Sequence, residues 1–201
     1  MPSIYDLKPK FQNLLRPLIK RLAALGLRPN AITLLALLGS IAVGLAVLQA
    51  AKHPAVLLLL PLWLFARMAL NAIDGMMARE LQMSTSLGAV LNELGDVLSD
   101  IGLYLPLAFL HEPAKWPIVA FVLGAALTEF CGVLGRALGG SRHYEGPMGK
   151  SDRAFVVGAV ALITVAVPRA ITFWPWIFSA IAFLTAATCW NRTSKVLREL
   201  K

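Results

Sequence analysis

Residues 71–100, NAIDGMMARELQMSTSLGAVLNELGDVLSD, decide the fold of this chain, because they place four carboxylates in two otherwise apolar segments. The four are Asp74, Glu93, Asp96 and Asp100. A charge near the centre of a membrane-spanning helix costs roughly 2.5–3.5 kcal/mol, so four would cost on the order of 10–14 kcal/mol. That cost is comparable with the whole stability of a typical domain. The stretch therefore predicts a polar site in which the carboxylates are balanced by cations or protons.

The composition around this stretch indicates a membrane protein. Of the 201 residues, 58% are hydrophobic and 15% are charged, and the mean hydropathy is +0.69. Soluble domains are nearer half apolar and carry about a quarter charged residues. The net charge of +8 does not indicate a nucleic-acid partner, because the basic residues collect at the chain ends and in alternate loops, as in membrane proteins.

Six apolar segments are long enough, or nearly long enough, to cross a bilayer, which needs about 20 helical residues. They are residues 31–51, 54–79, 87–110, 116–138, 154–167 and 171–190. Because backbone groups have no water to bind within lipid, each segment is predicted to be a helix. The sequence therefore predicts an all-α polytopic domain with six transmembrane helices over residues 31–201.

Lysine and arginine predict the orientation of these helices. Fifteen lie in the two terminal segments and in the connections after the second and fourth spans, whereas three lie in the other connections. Because positive residues accumulate on the cytoplasmic side, both termini are predicted to be cytoplasmic.

Residues 1–30 are predicted to form a separate juxtamembrane segment. Apolar residues recur there at helical spacing, with basic residues such as Lys10 and Arg16 between them: Phe11, Leu14, Leu15, Leu18, Leu22 and Leu25. The pattern is typical of an amphipathic helix lying in the membrane interface, beside the lipid bilayer. A helix that packs on the protein's own cytoplasmic face would show the same pattern.

Helical spacing places the polar residues of the second and third spans on two surfaces. One surface carries Arg67, Asn71, Asp74 and Ala78, and the other carries Gly88, Asn92, Asp96 and Asp100. An antiparallel hairpin turning near residues 83 and 84 would bring Arg67 level with Asp100 and Asn71 level with Asp96. It would also bring Asp74 level with Asn92 and Glu93. Arg67 and Asp100 are interpreted as a structural ion pair.

This pairing leaves Asp74, Glu93 and Asp96 without a cation from the protein. Protonation, as in proton-coupled transporters, or a divalent metal could neutralise them. The neighbouring ligands are oxygen atoms, with no His or Cys within a turn, which favours Mg²⁺ or Mn²⁺ over Zn²⁺. Gly75 and Gly88 would let a phosphate group come close to the backbone.

The same residues resemble a family signature. NAIDGMMAR, followed after eight residues by Gly88, Asn92 and Asp96, resembles the CDP-alcohol phosphatidyltransferase pattern D-x-x-D-G-x-x-A-R, eight residues, G-x-x-x-D-x-x-x-D. RPNAIT before the first span is similar to the family's entry sequence. TEFCGVLGR in the fourth span and GPMGKSDR before the fifth resemble its bacterial phosphatidylglycerolphosphate synthases. Asn71 and Asn92 replace the first and third aspartates of the pattern.

The resemblance implies an enzyme of phospholipid synthesis that moves a phosphatidyl group from CDP-diacylglycerol to a small polar alcohol and releases CMP. In the family the four aspartates hold two divalent metals, and the last is proposed as the general base. The implied catalytic base is Asp96. The implied ligands of Mg²⁺ or Mn²⁺ are Asp74, Asn71, Asn92, Asp96 and Glu93. The implied CDP-lipid site is Asp74, Gly75, Ala78, Arg79 and Gly88.

The acceptor alcohol is predicted to bind at Glu129, Arg136, Lys150 and Arg153. Lys150 and Arg153 flank Ser151, which could cap the fifth span, and a helix N-terminus with two cations would bind an anion. This favours a phosphorylated acceptor such as glycerol 3-phosphate. Topology-setting charges would also explain Lys150 and Arg153, and a structural pair would explain Glu129 and Arg136.

The two asparagines leave another function open, that of a catalytically degenerate family member acting as a lipid-binding or partner protein. A proton-coupled transporter would also carry intramembrane carboxylates, but it needs a path across the membrane, whereas the unusual charges here lie near one face. The resemblance implies the inner (cytoplasmic) membrane of a bacterium and leaves a homodimer open.

Overall fold

The computed structural model describes the backbone of residues 4–201 and the side chains from residue 11 onward. Residues 1–3 of the predicted juxtamembrane segment, and the side chain of Lys10, lie outside this description. The helices are α1 (Ile4–Ala24), α2 (Pro29–Val47), α3 (Leu59–Glu80), α4 (Ser86–Tyr104), α5 (Lys115–Ala137), α6 (Lys150–Ala166) and α7 (Trp174–Glu199). Between residues 4 and 201 there is no strand, so the predicted all-α class is confirmed.

Local sequence explains where several helices begin. Pro29 opens α2, where its fixed φ suits the first helical turn and its missing N–H costs nothing. Thr85 caps α4, because its hydroxyl accepts a hydrogen bond from the Gly88 amide at 2.9 Å. At α6 the Gly149 amide donates to Asp152 at 2.9 Å, so the cap is Gly149 and not the predicted Ser151.

Helices α2 to α7 follow the six apolar segments in order, but four stretches are long and apolar enough to cross a membrane. These four are Pro29–Ala51, Pro54–Glu80, Glu112–Ala137 and Pro168–Glu199. Helix α4 falls short because it carries Glu93, Asp96 and Asp100, and α6 because it has only 17 residues. The observed count therefore differs from the predicted six, since the residues of the polar site lower the hydropathy of the helix that carries them.

The apolar core lies at the end of the bundle opposite the α3–α4 connection. Tyr104, Phe121, Phe178 and Trp174 pack in sequence, with neighbouring ring centroids 5.2–5.7 Å apart. The Trp174 indole donates a hydrogen bond to Thr164 at 2.9 Å, which satisfies its polar atom within the core. This packing joins α4, α5, α6 and α7 and leaves the other end of the bundle for polar groups.

Helix α1 lies against the other end of the bundle. Leu15 and Ile19 are buried against Ile73, Met76 and Met77 of α3. Leu14, on another face, is 75% exposed. One apolar face of α1 therefore packs on the protein, and another remains exposed and could lie in the membrane interface. The structure is consistent with both interpretations of the amphipathic pattern.

Glycines allow α2 and α4 to pack closely. A Cβ atom on Gly44 would overlap the carbonyl oxygen of Gly102 in α4. Small residues permit such close approach of helices in membrane proteins. This close contact also fixes the position of α2, which carries residues that face α3 and α4.

We expect Gly44→Ala to lower the free energy of unfolding by about 1–3 kcal/mol, the usual cost of overpacking. Gly158→Ala is the matched control, because a Cβ there would meet Pro61 at an ordinary 3.5 Å. Denaturant titration of both variants in detergent micelles measures the difference. Equal stability of the two variants would contradict the close contact of α2 with α4.

Candidate functional site

The candidate site lies where α3 and α4 form an antiparallel hairpin. The connection comprises residues 81–85, and Gln82 adopts a left-handed conformation with φ of +53°. Arg67 Nη1 donates to Asp100 Oδ1 at 2.6 Å, and Asn71 Nδ2 donates to Asp96 Oδ1 at 3.2 Å. These are the residues that the helical spacing brings to the same level.

A cavity of about 420 Å³ opens beside this hairpin. It gathers all five residues of the predicted CDP-lipid site: Asp74, Gly75, Ala78, Arg79 and Gly88. Asn92 and Glu93 also line it, as do Asn30 and Thr33 from α2. Arg136, which sequence reasoning assigned to the acceptor, lines this cavity as well. Three helices besides α3 therefore build its walls.

Asp74 is the acid of this cavity that lacks a cationic partner. Its side chain is 95% buried, with 5% of its surface exposed, and Thr33 Oγ1 donates to its Oδ2 at 2.9 Å. Among the side chains described from residue 11 onward, none forms a salt bridge with it. The Asp74 carboxylate is therefore held by a neutral hydroxyl and faces a cavity.

Glu93 and Asp96 do have cationic partners, contrary to the expectation from the sequence. The guanidinium of Arg142 contacts Glu93, and the ammonium of Lys150 contacts Asp96. Arg67 Nη2 also lies 3.5 Å from Asp96 Oδ1. The expectation was wrong because helical spacing describes contacts between neighbouring turns. Arg142 comes instead from the distant connection between α5 and α6, and Lys150 is the first residue of α6.

Arg153 and Glu129 form a buried network behind the cavity. Arg153 is fully buried; its Nη2 donates to Asp100 Oδ2 at 2.9 Å and to Glu129 Oε1 at 2.8 Å. Its Nη1 donates to Thr128 at 2.8 Å. Arg153 therefore presents no surface to a soluble acceptor in this structure, which differs from the open pocket that the sequence predicted.

Glu129 does not pair with Arg136, the partner suggested by their spacing on one helix. It accepts from Arg153 and from Arg142 Nη2, the latter at 3.3 Å. Arg142 thus bridges Glu93 and Glu129, and sequence reasoning missed it. The sequence showed only that Arg142 lies in a basic connection. A connection has no helical face from which a partner could be assigned.

The connection between α5 and α6 is tied down from α7. Arg192 is buried and donates to the backbone carbonyls of Thr128, Tyr144 and Glu145. A hydrogen bond of 2.7 Å from Lys195 to Glu145 lowers the pKa of that carboxyl to about 2, so it stays ionised above this pH. These contacts hold the segment that carries Arg142 over the site.

The donor atoms at the cavity fit a hard divalent cation. Carboxylate and amide oxygens are ligands that Mg²⁺ and Mn²⁺ accept, and Asp74 offers a carboxylate without a cationic partner among the described side chains. Within the described residues, no three His, Cys, Asp or Glu side chains are arranged as a metal site. Mg²⁺ usually binds one or two carboxylates and completes its shell with water and substrate phosphates. The residues at the cavity therefore fit a divalent cation whose remaining ligands are water and the phosphate oxygens of a bound substrate.

The chain is similar to known proteins in sequence and in fold. The family model described as CDP-alcohol phosphatidyltransferase matches residues 27–190. Inner membrane protein YnbA of Escherichia coli (strain K12) is 45% identical over 195 residues, which cover 97% of this chain and 96% of that protein.

Solved structures share the fold. Mycobacterium tuberculosis phosphatidylinositol phosphate synthase (PgsA1) with CDP-DAG bound has a TM-score of 0.75 and 23% identity, covering 90% of this chain and 92% of that chain. The same protein in complex with manganese and citrate has a TM-score of 0.75 and 22% identity, covering 90% and 88%. At these identities the likeness shows the fold alone.

We expect Arg153→Met to lower the free energy of unfolding by about 3–5 kcal/mol, because it leaves the buried carboxylate of Asp100 without one of its two cations. Arg169→Met, at an exposed position, is the control and should change stability little. Denaturant titration in detergent micelles measures both. A loss below 1 kcal/mol in Arg153→Met would contradict the structural role of the network.

Proposed function

Because the chain belongs to the CDP-alcohol phosphatidyltransferase family, we propose that it moves a phosphatidyl group from CDP-diacylglycerol to a small polar alcohol and releases CMP. The observation that carries the proposal is the cavity at the α3–α4 hairpin. It gathers Gly75, Ala78, Gly88 and Asn92 of the signature around the Asp74 carboxylate, beside the exposed guanidinium of Arg79. The structural relative with CDP-DAG bound has the same fold.

The diphosphate of the lipid substrate would bind between Arg79 and Asp74. A Cβ atom on Gly75 would lie 3.2 Å from the Arg79 guanidinium. Glycine at this position therefore leaves the guanidinium room to reach a ligand. Planar guanidinium groups bind phosphate oxygens through paired hydrogen bonds. Gly88 and Ala78 keep the facing walls of the cavity short for the same ligand.

We propose Mg²⁺ or Mn²⁺ as the cofactor, with Asp74 as its carboxylate ligand and Asn71, Asn92, Glu93 and Asp96 as the other candidate ligands. When bound, the cation would stabilise the negative charge that develops on the diphosphate as CMP leaves. The structural relative in complex with manganese supports this choice by its fold.

Asp96 would act as the general base. It lies one helical turn from Asn92, on the surface of α4 that faces Asn71. Its carboxylate would accept the proton of the acceptor hydroxyl while the hydroxyl oxygen bonds to the phosphorus on the diacylglycerol side. The bond between that phosphorus and the bridging oxygen breaks, and CMP leaves with the oxygen. The ammonium of Lys150 contacts the carboxylate of Asp96.

The acceptor would bind beside Lys150 and Arg136. Both side chains are accessible, in contrast to Glu129 and Arg153, so they can contact a phosphate of the acceptor. Glu129 and Arg153 would position this pocket through their bonds to Arg142 and Asp100. Two accessible cations favour a phosphorylated alcohol, with glycerol 3-phosphate as the first candidate.

We propose that all six helices from α2 to α7 span the inner membrane, with both termini in the cytoplasm. Helices α4 and α6 pack among the four apolar spans, which supports their insertion despite their lower hydropathy. Residues 1–30 would form the juxtamembrane unit and residues 31–201 the catalytic domain. Exposed Leu87, Val90, Leu94 and Leu98 recur along α4 and would face lipid or a second copy of the chain in a homodimer.

Incubation of the purified chain with CDP-diacylglycerol, Mn²⁺ and a panel of alcohols tests the proposed activity through CMP release. We expect Asp96→Asn to reduce the rate by about 10²–10⁴-fold, because the amide cannot accept the proton. Glu112→Gln, at an exposed position at the other end of the bundle, is the matched control with an unchanged rate. Full activity in Asp96→Asn would exclude the proposed base.

Asn71 and Asn92 favour a second candidate function, a degenerate family member that binds lipid without turnover. Absence of CMP release with every acceptor, in a protein that still binds CDP-diacylglycerol, would support this alternative over the enzyme.

We expect Arg79→Gln to raise the KM for CDP-diacylglycerol by about 10–100-fold, since a hydrogen bond to a charged group contributes about 1.5–3 kcal/mol. Arg198→Gln, in the exposed last turn of α7, is the matched control. An unchanged KM in Arg79→Gln would place the diphosphate elsewhere.

A further inference from the structure

Positions 71 and 92 carry amides where the family signature has carboxylates, on the two helices of the hairpin beside the cavity. Asn71 uses its amide nitrogen to donate to Asp96, and Asn92 lines the cavity. An amide oxygen can still coordinate Mg²⁺ or Mn²⁺, but it brings no negative charge. The two replacements therefore remove two negative charges, which equals the charge of one divalent cation.

The protein itself supplies positive charge at the other acids. The first residue of α6 is Lys150, which contacts Asp96, and the segment before α6 places Arg142 on Glu93. Deeper in the bundle, Asp100 lies between Arg67 and Arg153, and Glu129 between Arg142 and Arg153. Asp96 is 93% buried, so a cation beside it is worth more than it would be in water.

A charge count over this region shows what remains to be balanced. The acids are Asp74, Glu93, Asp96, Asp100 and Glu129, and the cations that contact them are Arg67, Arg142, Lys150 and Arg153. Five acids against four cations leave one negative charge, and Asp74 is the acid without a salt bridge among the described side chains. Arg79 and Arg136 also line the cavity and add two positive charges. With these and the two negative charges of a bound diphosphate included, one divalent cation leaves a net charge of about +1. Two divalent cations leave about +3, which electrostatic repulsion in a largely buried site disfavours.

We infer that this chain binds one divalent cation, at Asp74, and that the Lys150 ammonium takes the place of a second one beside Asp96. The inference deepens the proposed function, on which it rests for the identity of the diphosphate ligand. The number of cations itself can be measured without turnover. Lys150 is then a tethered positive charge that Asp96 keeps whether or not nucleotide lipid is bound.

Mn²⁺ binding to the purified full-length chain in detergent micelles tests the inference. Electron paramagnetic resonance of free Mn²⁺ gives the number bound, and we expect one per chain, with binding lost in Asp74→Asn. Two Mn²⁺ per chain, or none with and without CDP-diacylglycerol, would overturn the inference.

Thermal unfolding provides a readout that depends on neither turnover nor nucleotide. Mn²⁺ should raise the Tm of the wild-type chain and leave that of Asp74→Asn unchanged, because only a ligand that binds the folded state stabilises it. Without metal, Asp74→Asn should melt at or above the wild-type temperature, since it removes a buried carboxylate that forms no salt bridge with any side chain from residue 11 onward. A lower Tm for metal-free Asp74→Asn would overturn the assignment of the surplus charge to Asp74.

A gain-of-binding variant tests the role of Lys150. The triple variant Asn71→Asp, Asn92→Asp, Lys150→Gln should bind two Mn²⁺ per chain, because it restores two carboxylates and removes the tethered cation. The matched control carries the same two aspartates with Lys115→Gln, a half-buried lysine at the far end of the bundle, and should bind fewer Mn²⁺ than the triple variant. Equal stoichiometry in the two variants would exclude Lys150 as the substitute cation.

These outcomes separate the inference from the proposed function. One bound Mn²⁺ without CMP release from any acceptor would refute the transferase activity and leave the cation count standing. CMP release by a chain that binds two Mn²⁺ would support the transferase and refute the role given to Lys150.

Discussion

The carboxylate of Asp100 holds three helices of the bundle together. Arg67 of α3 binds one of its oxygens at 2.6 Å, and Arg153 of α6 binds the other at 2.9 Å. All three side chains are almost fully buried, so each charge depends on the others for compensation. The site lies directly above this contact, because Asp96 is one turn of α4 away from Asp100. Its geometry therefore depends on a buried ion network behind the cavity.

The same network continues toward the cavity as a chain of ion pairs in which carboxylates and guanidinium groups alternate. Arg153 binds Glu129, Glu129 binds Arg142, and Arg142 binds Glu93 at the cavity. Buried charges are costly when single and tolerable when each has partners, which explains why the bundle carries so many of them at one end. At Asp74 the alternation stops, and the binding of a cation and a diphosphate is proposed there.

Helical periodicity predicted the parts of the site that lie on neighbouring turns. The pairing of Arg67 with Asp100 and of Asn71 with Asp96 follows from steps of three and four along two antiparallel helices. The hairpin connection also falls where the pattern placed it, between Glu80 and Ser86. The residues of the cavity were predicted from the resemblance to the family signature, which helical spacing alone does not supply.

The sequence by itself determined the all-helical class, the order of the apolar segments and the hairpin that carries the signature, because these depend on local spacing and hydropathy. Only the tertiary structure decided the partners of Glu93 and Asp96, the burial of Arg153 and the placement of Arg136 at the cavity. Arg142 reaches the site from a connection without helical periodicity, which Arg192 of α7 holds in place. Lys150 reaches it from the first turn of α6. The physical reason is that charge compensation acts through space, between residues about 50 positions apart in the chain, whereas a sequence pattern records only near neighbours.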